Sequence, residues 1–352
     1  MVDVKNTAFA DRVLAWFDQN GRHDLPWQKN RNLYRVWLAE VMLQQTQVAT
    51  VIPYYQKFLA KFPDQHCLAQ AHLDEVLKLW AGLGYYTRAR NLHKAAVMIE
   101  QQYQGQFPGQ FEEVLALPGI GRSTAGAILA QALGQRHTIL DGNVKRVLSR
   151  YFEVAGWAGK KAVENVLWQQ AEACTPETRL ADYTQAMMDL GATVCTRSSP
   201  NCEHCPLAQN CLALKNQRVN ELPTPRPRKQ IPVKTVRMLI LTNKNGELLL
   251  ERRPPTGIWG GLWSLPELAL SEDVAHECEK RWGYAINAYK DQAGLRHTFS
   301  HYHLDITPCR VEVAVTLAKV REPGQQHWCD TNNYKDYALA TPVVNILQQH
   351  LK

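Results

Sequence analysis

The sequence Leu117-Pro-Gly-Ile-Gly-Arg-Ser-Thr-Ala-Gly-Ala-Ile128 lies between two stretches of helical periodicity, and its glycines decide how those stretches meet. A short helix is predicted over residues 111–117, and a second from Ser123. Gly119 and Gly121 permit close backbone approach, and free N–H groups at the second helix start form a site of phosphate size. Such contacts hold a nucleic-acid backbone without reading its sequence. An ordinary helix–helix turn is the alternative.

Four clustered cysteines follow this stretch: Cys195, Cys202, Cys205 and Cys211. Thiolates so close in sequence can converge on one metal centre, either Zn²⁺ or an iron–sulfur cluster. Reduced cysteines without a metal and disulfides are the alternatives. The spacing therefore predicts a metal site in a loop over residues 195–211, but it does not decide which metal.

The composition is that of a two-domain intracellular protein. The chain has 352 residues, 45% of them apolar, and no run approaches the roughly 18 apolar residues of a membrane span. An odd number of cysteines, nine, favours a reducing compartment, so we expect a cytoplasmic protein without a membrane partner. The net charge of +7 is compatible with a polyanionic partner but does not demonstrate one.

The pattern along the chain changes once. Residues 7–213 are helical in pattern, and four prolines within residues 222–232 predict an extended linker. Beyond it, one short helix and four strands are predicted, at 273–282 for the helix and at 234–242, 247–252, 297–307 and 310–319 for the strands. The fold class is therefore a mainly α N-terminal domain (1–221), a Pro-rich linker (222–233) and an α+β C-terminal domain (234–352).

Glu40 is the first candidate for chemistry. On a helix, its neighbours one turn away are Val36, Trp37, Leu43 and Gln44. Because three of these four are apolar, the carboxyl should be partly desolvated and its pKa raised, as a general acid near neutral pH requires. A carboxylate on the solvated side of the helix is the alternative.

Asp141 is the second candidate, because it directly precedes a predicted helix over residues 144–152. An Asp in this position can cap the helix, whose N–H groups and dipole favour its charged form. A plain N-cap is the alternative reading. Taken together, Glu40 kept protonated and Asp141 kept ionised would divide the work as in glycosidic bond cleavage.

The hairpin at residues 117–128, Asp141 downstream of it and the Cys-x₆-Cys-x₂-Cys-x₅-Cys loop together resemble the helix-hairpin-helix DNA glycosylases with an iron–sulfur cluster. Residues 37–47, 82–86, 141–144 and 296–301 are most similar to the adenine-specific family. The resemblance implies a helix-hairpin-helix glycosylase fold with an iron–sulfur loop, a [4Fe–4S] cluster on the four cysteines, and a Nudix-like C-terminal domain. It also implies a monomer that acts in base excision repair on double-stranded DNA.

The implied reaction is excision of adenine mispaired with 8-oxoguanine or guanine. By the resemblance, Glu40 protonates the flipped adenine at N7 and helps to activate water, and Asp141 stabilises the oxocarbenium-like sugar. Flipping is needed because a stacked base hides its glycosidic bond. Relatives that also cut the strand carry a lysine where Ser123 stands. Serine cannot form their Schiff base, so we expect a monofunctional enzyme.

The resemblance also assigns binding residues. The DNA-binding set is Gly119, Gly121, Arg122, Ser123, Gln45, Thr46, Leu83 and Tyr85, with Tyr85 as an aromatic wedge. The adenine pocket is Leu25, Trp27 and Gln185, with Tyr183 as a further partner. Trp27 could equally be a structural anchor.

Residues 257–267 resemble the start of a Nudix sequence, but the Arg-Glu-x-x-Glu-Glu metal motif is missing, because residues 273–280 read Asp-Val-Ala-His-Glu-Cys-Glu-Lys. Without that carboxylate cluster we do not expect Mg²⁺-dependent diphosphate hydrolysis. Instead, Phe299, Ser300 and His301 are expected to recognise the lesion. A pyrimidine-directed glycosylase or lyase, or a DNA-binding protein without catalysis, are the alternatives. A desolvated Glu40 argues against a DNA-binding protein without catalysis.

Overall fold

The computed structural model describes residues 4–227, 230–316 and 325–351. The chain forms two compact units, one from Met1–Gln70 with Asn91–Arg228 and the other from Ala71–Arg90 with Lys229–Lys352. The sequence-based division was linear, whereas here a segment from the middle of the helical region groups with the C-terminal residues. Among the described residues, none of the helices is both long and apolar enough to cross a membrane.

The first unit is helical. Its helices are α1 (Val4–Asn20), α2 (Leu33–Leu43), α3 (Val48–Lys61), α4 (Gln65–Gln70), most of α6 (Thr87–Gln102), α7 (Phe111–Ala116), α8 (Arg122–Leu133), α9 (Gly142–Tyr151), α10 (Lys161–Cys174), α11 (Leu180–Asp189) and α12 (Leu212–Lys215). A π turn, Leu190–Val194, continues α11. Apolar side chains of α1, α9, α10 and α11, among them Phe17, Leu148, Leu167 and Met187, form one buried core. This core fixes the ends of α9 and α11.

The predicted hairpin joins α7 to α8. Gly119 has φ +81°, and a Cβ atom added there would lie 2.9 Å from Cβ of Asn91, so this position requires glycine. Gly121 caps α8 at φ −102°, and an added Cβ would meet none of the described atoms within 4 Å. The outer side of Gly121 is therefore open, and the approach of a phosphate group to its backbone stays a prediction.

α2 is apolar on almost every face because it runs through the interior. The side chain of Asn32 caps its N-terminus by accepting a hydrogen bond from Arg35 N–H at 2.8 Å. Trp37, Leu38 and Met42 are fully buried. The helix ends at Leu43, and Gln45, at φ +58°, breaks the chain direction before α3. Glu40, the one acidic residue of α2, therefore lies in the last turn, close to this break.

The second unit holds an eight-stranded mixed sheet and the helices α5 (Leu73–Trp80), α13 (Val274–Glu277) and α14 (Thr341–His350). The strands are β1 (Val233–Thr242), β2 (Glu247–Arg252), β3 (Trp263–Ser264), β4 (Glu267–Leu268), β5 (Tyr284–Asp291), β6 (Leu295–Thr298), β7 (His303–Thr316) and β8 (Gln326–Asp330). The main order is β3-β2-β1-β7-β5, with β4 on β1, β6 on β7 and β8 on β2. β1 and β7 are parallel. Leu239, Leu249, Trp282 and Val311 lie in its core.

The two strands predicted over residues 297–307 and 310–319 are wrong in their limits. The first crosses a turn, in which Phe299 N–H donates to the Tyr302 carbonyl at 2.9 Å, and β7 then runs unbroken through Pro308. Proline is tolerated here because β6 pairs with β7 up to Ile306 and β5 takes over from Cys309. Pro308 lies between these two pairings, where β7 needs no N–H donor on that side. The end of the second predicted strand, residues 317–319, lies outside the described residues.

Candidate active site

One cleft of about 790 Å³ in the first unit collects most of the predicted site residues of that unit. They are Leu25, Trp27, Glu40, Gln45, Thr46, Gly121, Ser123, Asp141 and Gln185. Of the DNA-binding residues predicted in this unit, two lie outside its lining: Gly119 shapes the hairpin, and the exposed Arg122 places its guanidinium 3.9 Å from the centre of the Trp168 ring. The cleft therefore joins the end of α2, the start of α8 and the start of α9.

Glu40 lines this cleft from the last turn of α2. Burial raises its pKa from the ordinary 4.5 to about 7. A hydrogen bond from Gln131 Nε2 to Glu40 Oε1, at 2.8 Å, acts in the opposite direction, and the negative charge of Asp141 raises the pKa further. The sequence-based expectation of a raised pKa agrees with this environment. Near neutral pH a large fraction of Glu40 therefore carries a proton.

Asp141 faces the same cleft from the N-terminus of α9. Its carboxylate accepts hydrogen bonds from Val144 N–H at 2.8 Å and from Asn143 Nδ2 at 3.1 Å. The helix cap was predicted, but the net effect on its pKa was not, because burial outweighs the hydrogen bonds and raises the pKa above its ordinary value. Arg146 attracts the charged form as well. Asp141 thus has several groups that favour ionisation, whereas Glu40 has one.

Leu25 and Trp27 form a buried wall of the cleft. Both belong to the short turn that precedes α2, and the Trp27 ring packs edge-to-face on Tyr55 at 5.6 Å. Tyr183, predicted as a further partner of the site, is buried in the core and lines a different, small cavity. It points away from the cleft because α11 presents Gln185 there and turns position 183 inward.

Ser123 is held in place by the chain next to Asp141. Its Oγ accepts a hydrogen bond from Leu140 N–H at 2.9 Å. The hydroxyl therefore links the start of α8 to the segment that ends in Asp141. The Ser123 side chain lines the cleft but carries no amine.

Sequence reasoning missed four polar residues: Arg22, Gln131, Asn143 and Asp189. Arg22 and Asn143 line the cleft, whereas Gln131 and Asp189 are buried behind it and bind residues that do. A weak signal was available, since Gln131 directly follows the apolar run at residues 125–130 and Asp189 directly follows Met188. Only the packing shows which side chains they reach.

The four clustered cysteines line one cavity with apolar neighbours such as Val147 and Leu207. Arg150 Nη1 lies 3.3 Å from Cys195 Sγ, and burial raises the pKa of the Cys205 thiol to about 11. Within the described part of the chain, no set of three or more His, Cys, Asp or Glu residues is spaced to hold a metal ion. All four cysteines nevertheless line one cavity, and four thiols are a donor set that suits either a zinc ion or an iron–sulfur cluster.

A second cleft, of about 650 Å³, lies wholly within the second unit. It is lined by the predicted residues Leu83, Tyr85, Phe299, Ser300 and His301. Phe299 is also part of an aromatic cluster, with ring centres 4.5 Å from His297 and 5.3 Å from Trp259. Residues more than 200 positions apart in sequence are thus brought together.

Tyr85 has the features of an exposed functional aromatic residue. Its φ is +48° and 51% of its surface is exposed, although an aromatic residue in this conformation is strained. Arg88 lies over its ring, 5.5 Å from the centre, and Arg88 Nη2 also donates to the Leu83 and Gly84 carbonyls at 3.3 and 3.2 Å. Strain of this kind persists only where surrounding contacts enforce it.

Three polar contacts fasten residues 71–90 to the C-terminal part of the second unit. Asp74 pairs with Arg252, Lys78 Nζ lies 3.0 Å from Asp336 Oδ1, and Arg90 Nη1 donates to the Gly260 carbonyl at 2.5 Å. The position of Tyr85 is therefore set together with that of Phe299.

The chain was compared with known proteins. Residues 38–173 match the family model of the HhH-GPD superfamily of base excision DNA repair proteins, and residues 237–349 match that of the NUDIX domain. The adenine DNA glycosylase of Buchnera aphidicola (subspecies Acyrthosiphon pisum) is 38% identical over 98% of this chain and 98% of its own length. The human adenine DNA glycosylase is 33% identical over 97% of this chain and 74% of its length.

Among solved structures, a thermostable thymine-DNA glycosylase superposes with a TM-score of 0.54 at 27% identity, covering 60% of this chain and 97% of that one. This likeness concerns the helical fold, whereas the likeness to the adenine-specific proteins extends over both units. On this evidence the chain belongs to the adenine DNA glycosylase family, whose N-glycosylases act in base excision repair.

Proposed function

We propose that this enzyme excises adenine mispaired with 8-oxoguanine or guanine, by hydrolysis of the N-glycosidic bond after the adenine has left the base stack. The observation that carries the proposal is the presence of Glu40 and Asp141 in one cleft, where burial raises the pKa of both and Asp141 has more hydrogen-bond donors around it than Glu40. The cleft volume of about 790 Å³ suits a single nucleotide. Leu25 and Trp27 supply an apolar wall against which a base can stack.

The proposed chemistry is a stepwise displacement of the base. Protonated Glu40 donates its proton to N7 of adenine, and the bond between the sugar and N9 breaks with its electron pair passing to the base. Asp141, ionised, stabilises the positive charge that develops on the sugar. Water then attacks the sugar and returns a proton to Glu40, so that free adenine and an abasic site are the products.

Ser123 supports hydrolysis without strand cleavage. A lyase step needs an amine that forms a Schiff base with the opened sugar, and a hydroxyl cannot form one. Ser123 Oγ is moreover held by Leu140 N–H. We therefore infer that the abasic strand leaves the enzyme uncut.

Cys195, Cys202, Cys205 and Cys211 are proposed to be the residues that would hold a [4Fe–4S] cluster through their thiolates. Their convergence on one cavity supports this, as does Arg150, which places a positive charge beside Cys195. When bound, the cluster would order the loop of residues 195–211. Arg146 Nε, which donates to the Cys195 carbonyl at 2.6 Å, connects this loop to α9.

The cleft of the second unit is proposed to read 8-oxoguanine. This base differs from guanine by a carbonyl at C8 and a hydrogen at N7. The carbonyl adds a hydrogen-bond acceptor, and the hydrogen changes N7 from an acceptor into a donor. Ser300 and His301 are exposed beside Phe299 and can each donate or accept a hydrogen bond. Tyr85, exposed in the same cleft, would fill space at the lesion.

The central test measures free adenine released from duplex DNA with a single adenine opposite 8-oxoguanine. We expect release by the wild type, with strand breaks appearing only after alkali treatment. Glu40→Gln and Asp141→Asn should each lower the single-turnover rate by at least about 100-fold, because general acid catalysis and charge stabilisation are lost. A variant that keeps full activity contradicts the role of that residue, and strand cleavage without alkali contradicts the monofunctional assignment.

The pH profile tests the protonation of Glu40. Because the acid form is the active one and its pKa is about 7, kcat/KM should fall as the pH rises through about 7. Gln131→Met removes the hydrogen bond that lowers this pKa, so the fall should move to higher pH. The profile is obtained from single-turnover rates between pH 5 and about 9. An unchanged position of the fall in Gln131→Met would count against Glu40 as the titrating acid.

Metal analysis and the absorption spectrum test the cluster. The purified protein should be brown, with broad visible absorption and about four iron atoms per chain. Cys202→Ser should lose this iron, whereas Cys67→Ser, which lies outside the loop, should keep it. A colourless protein with one zinc ion per chain would exclude the cluster.

Lesion reading is tested by Ser300→Ala. Loss of one hydrogen bond should reduce the preference in binding of an adenine:8-oxoguanine duplex over an adenine:guanine duplex by about 2- to 10-fold. The rate of adenine release from saturated enzyme should change less. Ser271→Ala, an exposed serine outside the cleft, is the control. Equal losses in preference for both variants, or none for Ser300→Ala, would argue against this site.

A further inference from the structure

Asp189 is the most completely bonded carboxylate beside the active-site cleft. It lies at the end of α11 with none of its surface exposed. It accepts hydrogen bonds from Arg22 N–H at 2.8 Å, Arg22 Nε at 3.0 Å, Arg22 Nη2 at 2.5 Å and Gln185 Nε2 at 2.7 Å. Its two partners, Arg22 and Gln185, both line the cleft.

This bonding pattern fixes the orientation of the Gln185 amide. A carboxylate only accepts hydrogen bonds, so the amide must turn its NH₂ group towards Asp189. Its carbonyl oxygen, Oε1, is then directed away from Asp189, and in the described part of the chain no residue donates a hydrogen bond to it. The backbone and guanidinium of Arg22 hold the carboxylate on its other side, so it cannot rotate to release Gln185.

The neighbouring turn reinforces this arrangement. Gln28 Nε2 donates to the Arg22 carbonyl at 2.7 Å, and Gln28 Oε1 accepts from Leu25 N–H at 3.2 Å. Arg22 is therefore held at both its backbone groups, by Asp189 and by Gln28. The apolar wall at Leu25 and the amide of Gln185 share one rigid support.

We propose that Asp189 is a positioning residue that sets the base specificity of the reaction. By fixing the Gln185 amide, it makes the cleft present a hydrogen-bond acceptor to the edge of the base that carries the six-position group. Adenine has an amino group there, which donates, whereas guanine and hypoxanthine have a carbonyl, which accepts. An acceptor facing an acceptor loses the bond and leaves buried polar groups unpaired, a difference of about 10- to 100-fold in rate. This inference rests on the proposed function and specifies how its substrate is chosen.

The test compares single-turnover excision of adenine and of hypoxanthine, each opposite 8-oxoguanine, by wild type and Asp189→Asn. An asparagine can offer either its oxygen or its NH₂ group, so Gln185 is no longer forced into one orientation. We expect the adenine-to-hypoxanthine rate ratio to fall by about 10-fold or more. The ratio within one protein cancels any general loss of rate, which a merely structural role would cause for both bases alike.

Two further variants complete the test. Gln185→Met removes the acceptor and should lower the ratio as much, and adding Asp189→Asn to it should lower the ratio no further. Asp182→Asn, on the same helix but paired at the surface with Arg179, should leave the ratio unchanged. If Asp189→Asn does not fold, Gln185→Met decides alone. An unchanged ratio in Gln185→Met would mean that the Gln185 amide does not discriminate between the two bases, so Asp189 could not set the specificity through it.

The outcomes separate this inference from the proposed function. If the wild type releases no adenine, both the proposed function and the role of Asp189 are contradicted. A wild type that releases adenine, with the ratio unchanged in folded Asp189→Asn, overturns the role of Asp189 only. A ratio that falls in Asp189→Asn and Gln185→Met but not in Asp182→Asn supports it.

Discussion

The removal of water from one carboxyl group, that of Glu40, is the constraint on which the active site depends. A pKa displaced from 4.5 to about 7 corresponds to about 3 kcal/mol against the ionised form. Burial of Glu40 in the last turn of α2, a helix that runs through the interior of the first unit, produces this displacement. The single hydrogen bond from Gln131 orients the carboxyl without restoring its hydration. A proton donor is thus available near neutral pH without a metal ion or a histidine.

The second carboxyl is buried as well and its pKa is also raised, but more groups around it oppose that rise. Asp141 is also desolvated, but the N-terminus of α9, the amide of Asn143 and the charge of Arg146 all favour its ionised form. The contrast between the two acids therefore comes from the number of hydrogen-bond donors around each, rather than from burial itself. The hairpin lies next to the site because Ser123 Oγ accepts a hydrogen bond from Leu140 N–H and so holds the segment that leads to Asp141.

The second unit joins distant residues by a different means. Tyr85 and Trp259 both adopt positive φ angles, of +48° and +53°, which bulky residues avoid. Both line the same cleft as Phe299, and Arg90 and Arg252 bind the segment of Tyr85 to the sheet. Backbone strain of this type is retained where contacts over-determine it, and it often marks a functional surface. The boundary between the two units therefore does not follow sequence order.

The sequence by itself determined the helical pattern, the hairpin at residues 117–128, the N-cap at Asp141 and the clustering of the four cysteines, because each depends on residues close together in the chain. It also indicated the apolar surroundings of Glu40, since helical spacing places Val36, Trp37 and Leu43 beside it. Only the tertiary structure decided that the pKa of Asp141 rises, that Pro308 lies within a strand, and that Tyr183 faces the core. It alone joined Asp189 to Arg22 and Gln185, and Ala71–Arg90 to the C-terminal sheet. These features depend on contacts between residues far apart in sequence, and local periodicity carries no information about which distant side chain a buried polar group will meet.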